Sequence, residues 1–176
     1  MCTMPKIIVR SVGLLFFIQL MVIVETMPTV LANETSKITA KEKICADAKV
    51  GISEITVEAL KKKMSNNDQF VLLDIRTEGE YRAGYISGAV WVPRGMLELK
   101  IEEVIPDSEK EIVIYCGQGC RGYLAARSLI AMGYKRVSNL KGGVRKWVND
   151  GNPLYNMLGE LQKIRYGVRD PKAHSE

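Results

Sequence analysis

The sequence predicts an α/β domain built on a mainly parallel central sheet flanked by helices. Two runs carry that prediction. Phe70-Val71-Leu72-Leu73-Asp74-Ile75 and Glu111-Ile112-Val113-Ile114-Tyr115-Cys116 are almost continuously apolar and β-prone, as strands covered on both faces require. The third observation is alternation: helical spacing fills the intervals between strand-like pieces, and a chain wound strand, helix, strand lays its strands parallel. Functional residues of such sheets gather at the carboxyl ends of strands, where Asp74 and Cys116 both fall.

The elements follow in order. Ile38, Ile44 and Ala48 recur at helical spacing over 38–49, with no glycine or proline to stop them. A short apolar piece, 52–55, precedes Thr56, which reads as an N-cap. Glu58 suits the first turn of the helix it opens, and Val57, Leu60 and Met64 supply the apolar stripe before Asn66-Asn67-Asp68 ends it. After the strand at 70–75 come a short helix at 78–83, a strand at 89–92 and a helix at 96–104 that stops near Pro106. Beyond the strand at 111–116, a helix runs over 121–132 to Gly133, a strand covers 137–140, and Gly142-Gly143 opens a helix carrying Val144, Trp147 and Val148. In the tail, Leu154, Leu158, Leu161 and Ile164 predict one amphipathic helix.

The first 32 residues differ in composition. Lys6 and Arg10 precede an apolar stretch at 12–24, and Val30-Leu31-Ala32 has the small-residue ending that signal peptidase accepts. This is a signal-peptide layout with cleavage after Ala32, which predicts a periplasmic or secreted chain. The alternative is an uncleaved anchor over 12–32, against which Glu25 and Pro28 weigh. The organisation is then a signal peptide (1–32), a linker and helix (33–52), one domain (53–153) and a partly helical tail (154–176). A chain of 176 residues, 47% hydrophobic, suits one such domain with one ordinary core. The formal charge is +5, but basic residues are interleaved with acids from Lys41 to Arg169. A mildly basic surface of that kind suits small anions and excludes nucleic acid as a partner, since no helix carries a basic stripe.

Of the four cysteines, Cys45, Cys116 and Cys120 follow the leader. An odd number cannot form a closed disulfide framework, so at least one thiol is free or reactive. His174 is the only histidine and lies in the polar tail, so no metal site is expected.

The chemistry lies in Cys116-Gly117-Gln118-Gly119-Cys120-Arg121, between a buried strand and a helix start. A tight glycine-bearing turn there points backbone N–H groups inward, and the helix amino end adds positive potential, an arrangement that holds a thiolate or persulfide. Cys116 would take the outer sulfur of a donor as a persulfide and pass it to a nucleophile. Gly117 and Gly119 let the backbone turn toward the anion, Gln118 completes the loop, and Arg121 neutralises charge at the rim or ties the loop down. Cys120 reads as a bystander at a variable loop position. The alternative is that it attacks the persulfide and closes a Cys116–Cys120 disulfide. Cys45, ahead of the domain, reads as packed or exposed. A plain buried cysteine ending a strand is the competing account of Cys116.

Motifs elsewhere decide between these. Leu73-Asp74-Ile75-Arg76 with Glu80-Tyr81, then Gly88-Ala89 with Pro93, then the Cys116 to Arg121 loop, then Leu140-Lys141-Gly142-Gly143 with Trp147, stand in that order over residues 55–153. Together they resemble the rhodanese family, and ordered motifs are far more specific than any one of them. Tyr85 departs from the pattern, which usually has histidine there. The resemblance implies a rhodanese-like fold and a sulfurtransferase of the thiosulfate sulfurtransferase type. Its Cys116 carries sulfane sulfur from thiosulfate or polysulfide to a thiol or cyanide-like acceptor, with no cofactor beyond the persulfide. It also implies that Asp74 and Arg76 support the pocket. Arg94, after Pro93 near the same strand ends, is a further candidate for meeting an anionic donor. An exported protein of this kind would meet a partner of extracytoplasmic sulfur metabolism.

Other functions use similar parts. Phosphatases and arsenate reductases of related fold place five residues between cysteine and arginine, whereas four separate Cys116 from Arg121. A non-catalytic rhodanese module usually lacks the loop cysteine. A thiol–disulfide carrier would use Cys116 and Cys120.

Overall fold

The computed structural model describes residues 38–161, so the leader call at 1–32 lies outside the described residues. Five strands form one parallel sheet in the order β1-β5-β4-β2-β3: β1 (Ser53–Ile55), β2 (Val71–Asp74), β3 (Ala89–Trp91), β4 (Glu111–Tyr115) and β5 (Arg136–Leu140). Among the described residues, six α-helices accompany it: α1 (Ala40–Lys49), α2 (Val57–Ser65), α3 (Glu78–Arg82), α4 (Leu97–Val104), α5 (Cys120–Ala131) and α6 (Gly143–Asn149). Among the described residues, none of these helices is long and apolar enough to cross a membrane.

The apolar strands form because alternate side chains bury on opposite faces. In β4, Ile112 and Ile114 join Leu73, Leu97, Ile101 and Leu129 on the side of α4 and α5. Val113 and Tyr115 point the other way, into Leu60, Leu72, Val144 and Trp147. β4 is the central strand, and the chain leaves it toward β5 while β2 leads away to β3 on the other side. The crevice at that reversal, past the carboxyl end of β4, is where sheets of this type bind ligands. Cys116 is the first residue beyond β4.

Local signals act as expected. The Thr56 hydroxyl accepts from the Ala59 N–H at 3.2 Å and caps α2. Tyr85, the departure from the family pattern, stacks on Tyr81 at 4.5 Å and exchanges two 2.8 Å backbone hydrogen bonds with Tyr155.

The tail corrects the sequence expectation. Leu154 and Leu161 do not share a helix but face each other across an antiparallel hairpin, β6 (Leu154–Asn156) with β7 (Gly159–Leu161). Asn156 accepts the Leu158 N–H at 2.8 Å through its side chain, and Gly159 takes a φ of 116° that favours glycine. Leu154 is buried, whereas Leu158 at the turn is 96% exposed, so helical spacing of the leucines is not a shared face. Ile164 and the rest of the expected tail helix lie outside the described residues.

Candidate active site

The floor of the site is set by backbone bonds between the Cys116 loop and α6. The Val144 N–H donates to the Cys116 carbonyl at 2.8 Å, and the Arg145 N–H to the Gly117 carbonyl at 3.0 Å. That approach is close enough that a Cβ on Gly143, which sits at φ 58°, would overlap the Cys116 carbonyl. Asn139, fully buried at the end of β5, donates through Nδ2 to the Gly119 carbonyl at 3.1 Å and pins the loop from the other side. Gly119 turns at φ 110°, and its N–H then points at the Cys116 sulfur, 3.1 Å away. A backbone donor aimed at Sγ is what a thiolate or terminal persulfide needs.

Cys116 is only 1% exposed: its side chain joins the α4 and α5 core and also lines a cavity of about 650 Å³. Gly117, Gln118, Cys120 and Arg121 from the predicted loop line the same cavity. α1 supplies another wall through Lys41, Ile44 and Cys45, and Leu124 and Arg145 contribute from α5 and α6.

The loop arginine is already engaged. Arg121 donates to both carboxylate oxygens of Glu80, at 2.6 and 2.8 Å. Glu80 also closes a capping box at the start of α3, accepting from the Thr77 N–H at 3.0 Å while the Thr77 hydroxyl accepts from the Glu80 N–H. The Arg121 hydrogen bond holds the Glu80 carboxyl down at about 2, with Thr77 adding to it against the cost of burial. Glu80 in turn raises the Arg121 guanidinium above its ordinary value, with a smaller contribution from Cys116. Thr77-x-x-Glu80 is a capping-box signal legible in the sequence; its second role, restraining Arg121, is not.

Asp74, Arg76 and Arg94 stand apart from the cavity lining. Asp74 and Arg76 are fully buried and paired at 2.6 Å, and Arg76 also donates to the Gly84 carbonyl at 2.7 Å. They join the end of β2 to the turn that carries Tyr85. Arg94 pairs with Glu98 at 2.7 Å and reaches the Ser128 hydroxyl at 3.1 Å, on the α4 side.

The cysteine pairing is a correction. Cys120 is neither a bystander nor a partner for Cys116: it is disulfide-bonded to Cys45, 75 residues earlier. Cys45 is therefore neither merely packed nor exposed. Cys116 is the free cysteine among the described residues, and a Cys116–Cys120 carrier pair does not form in this state. The reason is tertiary: α1 docks along α5 and brings Cys45 to Cys120. Further contacts hold α1 there, among them Lys49 to Glu54 at 3.1 Å, Lys49 over the Tyr123 ring and Arg127 Nη1 to the Asp47 carbonyl at 2.7 Å. Among the described residues, no cluster of three or more His, Cys, Asp or Glu could hold a metal ion.

Comparison with known proteins agrees with this architecture. The family model for the rhodanese-like domain matches residues 56–150. A sulfurtransferase of Allochromatium vinosum is 35% identical over 103 residues, covering 58% of this chain and 94% of that protein. The human single-domain sulfurtransferase TSTD1 superposes with a TM-score of 0.52 at 25% identity, covering 58% of this chain and all of that one. A Rhodopseudomonas palustris protein of unknown function, described as a possible tyrosine phosphatase, gives a TM-score of 0.60 at 30% identity over 66% of this chain and 94% of its own. With its parallel sheet, its loop after β4 and a match spanning α2 to α6, the chain belongs to the rhodanese-like domain family.

Proposed function

We propose that the protein is an exported sulfurtransferase that moves sulfane sulfur from a donor such as thiosulfate or polysulfide to a thiophilic acceptor through a persulfide on Cys116. The observation that carries this reading is the Gly119 N–H directed at a free, buried Cys116 sulfur on the wall of a cavity. In the first step the Cys116 thiolate attacks the outer sulfur of thiosulfate. A new S–S bond forms, the old one breaks, and sulfite leaves with the electron pair. In the second step an acceptor thiolate or cyanide attacks the outer sulfur of Cys116–S–S⁻, and the Cys116 thiolate departs. The cycle is balanced without a cofactor. Burial shields the persulfide from water and stray thiols, and the Gly119 N–H stabilises its charge.

Export is supported by the leader pattern at 1–32 and by the Cys45–Cys120 bond, since disulfides persist in oxidising compartments. A phosphatase reading is disfavoured by the four-residue spacing and by Glu80, which occupies the arginine that a phosphate would need. A carrier that delivers the same persulfide to a partner protein differs only in its acceptor. The test is mass spectrometry after thiosulfate or polysulfide treatment. One added sulfur on Cys116, absent in Cys116→Ser and retained in Cys45→Ser, is expected. Full sulfur transfer by Cys116→Ser would overturn the assignment.

A further inference from the structure

Three cations line the Cys116 cavity: Lys41, Arg121 and Arg145. Arg121 is matched oxygen for oxygen by Glu80, which lines the same cavity, so that pair adds no net charge. Lys41 and Arg145 have no carboxylate partner among the described residues, and they give the cavity its unbalanced positive charge.

Arg145 carries a second mark. Its Nε is buried, yet no acceptor bonds to it. A desolvated guanidinium N–H left unmatched is costly, and a bound oxygen at the cavity would supply the missing bond. The backbone from which it reaches the cavity is fixed, since the Arg145 N–H is bonded to the Gly117 carbonyl within the reactive loop. Lys41 stands one helical turn before Cys45 on α1, so the disulfide that ties α1 to α5 also holds Lys41 at the cavity. The cavity is far larger than an inorganic anion needs, and Ile44 and Leu124 give it an apolar wall.

We propose that Arg145, backed by Lys41, is the anion-recognition group of this cavity and takes the carboxylate or sulfonate of an organic sulfane-sulfur substrate. The word substrate rests on the sulfurtransferase reading; the anion site does not. Arg145 acts as a specificity-determining residue, and Arg121 serves to shape the loop through Glu80.

The experiment measures alkylation of Cys116 by the neutral reagent iodoacetamide, with benzenesulfonate added as an unreactive organic anion and sulfate as its inorganic counterpart. Each variant is read against its own unprotected rate. Benzenesulfonate is expected to protect the wild type at lower concentration than sulfate. Arg145→Gln should raise the half-protecting concentration about tenfold, the loss expected for one charge-assisted hydrogen bond, and Arg145→Lys should recover part of it. Lys41→Gln, an exposed change that leaves the core untouched, should raise it about two- to threefold, and less in high salt. The proposal is overturned if benzenesulfonate fails to protect the wild type, if sulfate protects equally well, or if Arg145→Gln is protected like the wild type. Sulfur loading from thiosulfate is followed separately. Failure there, with protection intact, would sink the sulfurtransferase reading and leave the anion site standing.

Discussion

Glu80 grips Arg121 with both carboxylate oxygens while capping α3, so a single side chain joins the helix after β2 to the loop after β4. The Glu80 carboxyl is held at about 2, below its ordinary value of 4.5. A carboxyl depressed in the folded state stabilises it above the unfolded value, and that contribution is lost as pH falls from about 4.5 through about 2. We expect the loop to loosen across that window. Glu80→Gln should shift the acid limb of the stability curve and leave stability at pH 7 reduced. A pH titration of thermal unfolding for the two proteins checks this, and parallel curves below pH 4.5 would refute it.

The Asp74–Arg76 pair makes a different prediction, because both side chains are fully buried and neither lines the cavity. Removing one partner leaves an uncompensated charge in the core, at a cost of about 3–5 kcal/mol. Asp74→Ala should therefore lower the unfolding midpoint in urea sharply. The fraction that stays folded should load sulfur at the wild-type rate. A loading defect larger than the loss of folded protein would return Asp74 to the site.

The parts legible in the sequence were those set by local pattern. β2 and β4 announce themselves because both faces are covered, and Thr56 and Gly142-Gly143 mark helix starts through capping and backbone freedom. The place of Cys116 at the end of β4 was legible because the strand and the glycine-bearing loop after it are written in consecutive residues. What was not legible depends on docking. The partner of Cys120 is set by where α1 lies against α5, the partner of Arg121 by where α3 lies against the loop, and neither has a period in the sequence. The tail misled because leucines at helical spacing outweighed the turn chemistry of Asn156 and Gly159.

Gly143 tests how tightly the loop is built. At φ 58°, with a Cβ position that would overlap the Cys116 carbonyl and lie 2.9 Å from the Gly117 carbonyl oxygen, it has no room for alanine. Gly143→Ala should cost about 2–4 kcal/mol and abolish sulfur loading, since the loop must shift to relieve it. Gly79→Ala, within α3 and with open space around it, should be neutral or stabilising by up to about 1 kcal/mol. Chemical denaturation compares them; equal effects would mean that the close approach is absent.

The Cys45–Cys120 bond closes a separation of 75 residues, and chain-entropy arguments assign such a link about 4 kcal/mol if it constrains the whole unfolded chain. Here much of that is realised locally. Ala48 is the buried residue of α1, so without the disulfide the helix has little burial to hold it and can leave the domain before the sheet unfolds. Cys45→Ser should therefore lower global stability by less, about 1–3 kcal/mol, while the backbone amides of α1 lose hydrogen-exchange protection and those of β4 keep theirs. Because α1 carries Lys41 and Ile44, the same change should open the cavity and speed alkylation of Cys116 by bulky reagents more than by small ones. Hydrogen exchange read by mass spectrometry, with thiol counting of the unreduced wild type, decides the matter. Reactive thiols at Cys45 and Cys120 in the unreduced protein, or unchanged protection of α1 in Cys45→Ser, would show that the helix is held by packing alone.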